Sequence, residues 1–490
     1  MKRRRFLQCS TAAAAGAGLG WTILPSRAHA VGYPANERLR LAVFGHFYNA
    51  PHFLHSMHVH DTEIVALADA DILKLEPVFG RWQEQAVEQP RYQRLADRQG
   101  LSLVTDIREL FAERDSLDFD ALVVSEQDHL HGVACGLALR AGIPVFNERP
   151  LGLHLADARA LRALAATTGL PTSYRSPGTA SGAFRHAVEM VAAGDIGEVR
   201  EVHVWFDRAA PDRDAVPDGA EPVPHFFNWN AWLGPLPWRE YHREWRSYPH
   251  WRETSSGGLG VFGPHTMVFP FVALRLAGLW QQGTADPADA DAELPEIEVT
   301  AEASRLNRVS FPRWERVRWQ LPARGPDLPA LNIHWHHGPG LPPGSRDLLH
   351  DRLARAGIGN PDQADGLLRM AGSMLIGSEG VMLADDHSAN VTTLPAERFA
   401  HRQPDQPTDL PRSRGLYVDW LDACRGEDSA GLADFQLAGR LSELLMLGNL
   451  ATLNPDATLH YRPADGRVRS SADGTIAPAA AYREGWPPPW

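Results

Sequence analysis

The sequence predicts an α/β chain of two domains, the first on a doubly wound parallel sheet and the second an α/β domain on an open, mostly antiparallel one. Three observations carry this. Short apolar runs alternate with helical patterns through about residue 172. Beyond it the texture changes to apolar–polar alternation between loops rich in Trp, Pro and Gly. The 490 residues are also too many for one ordinary core and divide naturally into two.

In chain order, "LRLAVF" (39–44) is an apolar run that reads as a buried strand, with room for a helix over 50–58. "TEIVALADAD" (62–71) is a second strand ending in acids, "DIRELFAERD" a short helix, and "LDFDALVVSEQ" a strand centred on 119–125. "HGVACGLALRAG" is a helix closed by Gly142, and "IPVFNERP" a strand stopped by Pro150. The helix "LADARALRALAATTG" follows. Strand–helix alternation of this kind predicts right-handed crossovers and a parallel sheet over 31–172. In 173–490, alternation marks strands at 197–208, 296–306, 314–323, 330–337 and 380–385, with an acidic linker over 283–296. Amphipathic helices close the domain over 414–452, and the tail "EGWPPPW" reads as extended.

The first thirty residues carry Arg3, Arg4 and Arg5, an Ala/Gly-rich run and Ala28-His29-Ala30, the layout of a twin-arginine signal peptide over 1–30. The other reading of this segment is an N-terminal membrane anchor; the short, glycine-rich run favours cleavage and a periplasmic product. Cys135 and Cys424 lie in apolar helical patterns and read as buried thiols, with no metal-type spacing. The net charge is −12, and removing 1–30, which is basic, makes the remainder more acidic. That argues against nucleic acid or an anionic membrane as partner.

Several motifs together resemble the Gfo/Idh/MocA family (glucose–fructose oxidoreductase and inositol dehydrogenase-like proteins), in its exported, twin-arginine subgroup. They are "DALVVSEQDHLHGVACGLALRAGIPVFNERPL", "NWNAWLGPLPWREYH", "SSGGLGVFGPHTM", "WLDACRG" and "LLMLGNLA". The resemblance implies a Rossmann-type domain that binds NAD or NADP. It implies a sugar or oligosaccharide substrate, either oxidised or reduced or cleaved at a glycosidic bond by a transient redox route, and a homo-oligomer, dimer or tetramer. It also points to particular positions. Gly45, Phe47 and Ala50 fall where the family has its glycine-rich phosphate loop. Phe47 sets a ring where bare backbone approaches a pyrophosphate, and Pro51 removes one N–H from the helix start. Asp69 or Asp71 falls where a carboxylate binds ribose. Glu148-Arg149-Pro150 stands for the family's Glu-Lys-Pro, and arginine keeps the charge but gives up its proton reluctantly. His265 matches the catalytic histidine, with Val261 and Val268 at positions where the family often has acids. In this reading Glu148 borders the cofactor, Arg149 orients the sugar and His265 moves the carbinol proton.

The residues leave other readings open. Glu148, Asp128 and Glu126 supply the paired carboxylates that a redox-independent glycoside hydrolase or lyase needs. A non-catalytic sugar-binding protein is the third reading. The loop 228–253 holds five tryptophans among the fifteen of the chain, and Trp238, Tyr241, His242, Trp251 and Arg252 are its candidates for stacking on a sugar, with Tyr174 a further candidate at the domain junction. Histidines crowd 46–60 (His46, His52, His55, His58, His60), 129–131 and 334–337. Surface and hydrogen-bonding roles are the preferred reading, and no metal is expected.

Overall fold

A computed structural model gives the fold and describes residues 38–45, 62–125, 127–281, 294–325, 328–401, 409–429, 431–472, 474–476 and 482–488. The signal segment, Phe47, Ala50, Pro51, the histidines of 46–60 and Glu126 lie outside the described residues.

Six strands form the first sheet: β1 Leu39–Phe44, β2 Thr62–Ala68, β3 Ser102–Val104, β4 Ala121–Val124, β5 Val145–Asn147 and β6 Thr172–Tyr174. Their order is β3-β2-β1-β4-β5-β6 and every pairing is parallel. This is the doubly wound order of dinucleotide-binding domains. The strands read as unbroken apolar runs because both faces are covered. One face packs on helices α1 Glu76–Glu88 and, from the far end of the chain, Leu416–Arg425, through Phe79, Trp82, Trp420 and Leu421. The other packs on α2 Asp128–Arg140 and α3 Leu155–Thr168, through Leu130, Val133, Ala134 and Leu161. The domain boundary expected at 172 falls inside β6, which pairs with β5 through Tyr174, so the junction moves past Arg175.

The second sheet has ten strands: β7 Val199–Phe206, β8 Ile297–Ala303, β9 Glu315–Leu321, β10 Leu331–His337, β11 Ala371–Gly377, β12 Val381–Ala384, β13 Val391–Leu394, β14 Leu459–Arg462, β15 Arg467–Ser470 and β16 Gly474–Ile476. The order is β13-β12-β11-β7-β10-β9-β8-β14-β15-β16, antiparallel except where β7 meets β10. Alternation puts Ile297, Val299, Val317, Trp319, Ile333 and Trp335 on one buried face. Helices α4 Gly182–Ala192, α5 Gly257–Val261, α6 Gly263–Ala273 and α7 Ser345–Arg355 belong to this domain, whereas α8 Leu416–Arg425 is the helix that returns to the parallel sheet.

Helix α9 Phe435–Thr452 joins the two cores. Asp434 caps it by accepting the N–H groups of Gln436 and Leu437, each at 2.9 Å. Its first turn buries Phe435 and Ala438 in the parallel-sheet domain, and its later turns bury Leu441, Leu444, Leu445 and Leu447 against the open sheet. Gly439 lets α9 approach α3 closely, since a Cβ there would stand 2.8 Å from the Arg162 side chain. Cys135 and Cys424 are free and buried. Among the described residues no helix is long and apolar enough to cross a membrane.

Candidate functional site

In an open α/β sheet, ligands bind beyond the carboxyl ends of the strands, where the strand order reverses. Here that point lies between β1 and β4. Gly45 follows β1 with φ at +99°, a conformation that glycine tolerates, and its N–H donates to the Ala68 carbonyl at 2.7 Å. Asp69 follows β2, is fully buried, and accepts the Asp71 N–H at 2.8 Å. Asp71 is committed elsewhere: Arg246 of the second domain pairs with it, and it caps the next turn at Leu73.

The ends of β5 and β6 build a charged cluster. The Arg175 N–H donates to the Asn147 carbonyl at 2.9 Å, so the residues just past these two strands lie side by side. The Asn147 side chain donates to the carbonyls of Glu148 and Pro150, fixing the turn. Glu148 then receives two guanidiniums. Arg149 Nη1 reaches Oε2 at 2.6 Å, and Arg175 Nη1 reaches both oxygens at 3.0 and 3.1 Å. Arg149 Nε also donates to the Val261 carbonyl at 3.1 Å, tying the cluster to α5. Burial works to lower the Arg149 pKa, but Glu148, with Tyr248, Asp128 and Tyr174, outweighs it, and the value rises.

His265, on α6, faces this cluster. It is 1 % exposed and its Nδ1 has no hydrogen-bond partner among the described residues. Burial, then Arg149, His387 and Arg175, hold its pKa well below the ordinary value, so the imidazole is neutral. The ring of His387 lies 4.7 Å away, and His387 itself pairs with Asp386 at 3.0 Å. Val268 is fully buried in the second core, so that position packs the domain and has no role in the site. Val261 contributes its backbone carbonyl to Arg149.

Asp128 opens α2 and is 2 % exposed. Its Oδ2 accepts the Ser256 N–H at 2.8 Å and hydroxyl at 2.5 Å, and its Oδ1 accepts the Tyr248 hydroxyl at 3.1 Å. Burial raises its pKa against the pull of His131 and these bonds. The Tyr248 ring is 41 % exposed while its hydroxyl turns inward. Tyr174 is buried beside Ser442, its hydroxyl without a well-formed partner, and burial raises its pKa.

Asp128 gives a test of this arrangement. Below the ordinary carboxylate value both folded and unfolded states hold the proton. As pH rises past about 4, the unfolded chain ionises first, and wild-type stability falls by about 1.4 kcal/mol per pH unit until the raised folded value is passed. Asp128→Asn keeps an acceptor for Ser256 and has no proton to lose. Urea unfolding at pH 4 and pH 7 is expected to show the variant gaining on the wild type with rising pH.

The candidates from the Trp-rich loop are placed differently. Tyr241 and Trp251 are buried in an aromatic cluster with Phe227, Trp229, Trp232 and Trp245. The indole N–H of Trp251 donates to the Glu244 carbonyl at 2.7 Å. Arg252 is a backbone staple, donating to the carbonyls of Asn307 and Ser310 at 2.7 and 2.6 Å, and burial lowers its pKa to about 10. His242 caps a short helix by accepting the Glu244 N–H. Trp238 is 62 % exposed beside Arg483. The loop is chiefly a small core that docks on α2 through His129, whose Nε2 meets the Trp232 carbonyl at 2.8 Å; burial pushes His129 down to about 4. His131 meets the Pro150 carbonyl at 2.6 Å. His336 bonds Ser345 and His203, and His337 pairs with Glu315. Among the described residues no three His, Cys, Asp or Glu side chains are grouped to hold a metal.

The structure therefore brings Glu148, Arg149, Tyr174, His265 and Asp128 together, and adds Arg175, Tyr248 and His387, which sequence reasoning missed. Arg175 had one usable signal: it follows the last parallel strand at the position where Glu148 follows the one before.

The fold and site define a Rossmann-type domain whose carboxyl edge is closed by a second α/β domain. Residues 39–175 match the Gfo/Idh/MocA family model, described as "Oxidoreductase family, NAD-binding Rossmann fold". No curated protein matches the chain. Among solved structures, an aldose–aldose oxidoreductase from Caulobacter crescentus is similar at 13% identity and a TM-score of 0.49, covering 86% of this chain and 99% of that one. The WlbA dehydrogenase from Bordetella pertussis is similar at 13% identity and 0.48, covering 86% and 98%. An inositol dehydrogenase homolog from Azotobacter vinelandii is similar at 16% and 0.44, covering 85% and 96%.

Proposed function

We propose that the chain is a nicotinamide-dinucleotide-dependent oxidoreductase acting on a sugar-like carbinol, exported by its twin-arginine segment. The observation that carries this is His265: a buried, neutral imidazole with an unpartnered Nδ1, set against Arg149 in the crevice of an NAD-binding type of domain. Gly45 and Asp69 are the described residues suited to the nucleotide's phosphate and ribose end, and Glu148 and Arg149 border its nicotinamide end. The dinucleotide would supply the hydride acceptor or donor.

The chain's own residues do the rest. Arg149, held by Glu148 and the Val261 carbonyl, is fixed in direction and presents a permanent charge to a substrate hydroxyl. His265 takes the carbinol proton during oxidation. Burial and the nearby cations Arg149 and Arg175 disfavour a lasting imidazolium, so the proton goes on to water entering the crevice. A redox-independent hydrolase is less well served. Its acid and base would be Asp128 and Glu148, but both oxygens of Glu148 are occupied by guanidiniums.

Two measurements test this reading. Protein purified from cytoplasm and then denatured is expected to release NAD(H) or NADP(H), and added nucleotide to raise its melting temperature. His265→Asn is expected to lower kcat by about 10²-fold or more while keeping that thermal shift. A protein that neither carries nor binds a nucleotide overturns the proposal.

A further inference from the structure

The charge balance of the cluster is uneven. Two guanidiniums, Arg149 and Arg175, converge on one carboxylate, Glu148. Their side chains are only 17 % and 19 % exposed. Arg149 spends Nε and Nη1 on protein acceptors, and Arg175 spends Nη1 alone. Among the described residues nothing accepts from Arg149 Nη2 or from Arg175 Nε and Nη2. A planar fork with spare donors, partly withdrawn from water, suits a planar anion with two oxygens. Two more buried polar atoms lie by the cluster, His265 Nδ1, which has no partner among the described residues, and the Tyr174 hydroxyl, which has only Ser442 beside it; both residues are 1 % exposed.

No other described acid makes up the difference. The Asp128 oxygens are taken by Ser256 and Tyr248, and burial drives this carboxyl toward its neutral form. Asp386 is engaged with His387, whose ring lies 4.7 Å from that of His265. An oxidised nicotinamide ring, on the reading above, would add a further positive charge.

We propose that Arg175, together with the free end of Arg149, receives a carboxylate on the substrate, so that the site takes a sugar acid, a uronate or aldonate, in preference to a neutral sugar. This rests on the oxidoreductase reading for the reaction but not for the binding. Arg175 becomes the specificity-determining residue, while Arg149 remains shared between Glu148 and the substrate. A neutral sugar in the same place would leave these donors facing groups that satisfy them less well. A charge-assisted pair gives roughly a ten- to hundredfold preference.

The test is calorimetric binding to the full chain, with and without NAD⁺, of D-glucuronate, D-gluconate, D-glucose, myo-inositol and D-glucose 6-phosphate. The acids are expected to bind at least tenfold more tightly than glucose or inositol. Arg175→Gln is expected to erase that preference, the acids falling to the affinity that glucose has for the same variant, and Arg175→Lys, which keeps charge but not the fork, to retain part of it. Equal affinity for acids and neutral sugars overturns the proposal, as does a phosphate ester that outbinds both acids. A preference that survives in both Arg175 variants overturns it too. If the acids are preferred but NAD⁺ and NADP⁺ do not bind, the receptor stands and the redox reading falls; the reverse result separates them the other way.

Discussion

Replacing Glu148 with alanine is expected to cost about 3–5 kcal/mol of stability and to remove turnover, the largest effect of any single change in the site. The carboxylate is 6 % exposed and stands between two guanidiniums that are themselves mostly covered. Taking it away leaves two like charges facing each other across a cavity, with Arg149 still held to the second domain through the Val261 carbonyl. The cost is the stranded charge more than the lost attraction. Two comparisons isolate it in urea unfolding. Glu148→Gln preserves shape and one acceptor, and is expected to lose less. Glu148→Ala combined with Arg175→Met removes one of the stranded cations, and is expected to be more stable than Glu148→Ala alone, a coupling a double-mutant cycle reads directly. A Glu148→Ala protein within 1 kcal/mol of wild type would mean that solvent screens this cluster as it does a surface pair.

The cluster also shows where the sequence speaks and where it falls silent. Runs such as "LRLAVF" and "ALVV" announce a parallel sheet because a strand buried on both faces has no polar side to alternate with. His265 and Glu148-Arg149 are legible as local motifs. Arg175 is not, because its role arises only when β5 and β6 are set in register, a long-range fact that no local pattern carries. Tyr248 and His387 arrive from the second domain in the same way. The tryptophans of 228–253 mislead for a different reason. An indole offers a sugar platform and a core filler with the same surface, and only the packing of the folded loop decides: Trp229, Trp232 and Trp251 are buried together while Trp238 stays exposed. Strand β11, "AGSMLIG", escapes because it is buried along most of its length and starts with small residues, so period-two patterning never appears. The short strands β14 to β16 escape because three- and four-residue strands carry too little pattern.

Glu443→Ala is expected to be nearly as damaging as Glu148→Ala, about 3–5 kcal/mol, though it lies away from the site. Glu443 is wholly buried in the middle of α9. Arg159 and Arg162 of α3 pair with it at 3.0 Å each, the Trp280 indole donates to it at 2.7 Å, and the Tyr461 hydroxyl of β14 donates to it as well. One carboxylate thus satisfies a helix of the first domain and both a 3-10 helix, Leu276–Trp280, and a strand of the second. Burial, followed by Glu443, raises the Tyr461 phenol well above its usual range, so the hydroxyl keeps its proton and acts as a donor. Alanine leaves two partly covered guanidiniums, an indole N–H and a phenol without their shared acceptor, at the turn where α9 passes from one core to the other. The loss is therefore expected in both domains together. Thermal unfolding of Glu443→Ala, followed by backbone hydrogen exchange, should show protection falling in β1 to β6 and in β7 to β10 alike. Glu443→Gln keeps acceptors for Trp280 and Tyr461 and should cost about 1–3 kcal/mol. Protection lost only in the second sheet would mean that α9 belongs to that domain alone and that the crevice between the domains is held by the Glu148 cluster.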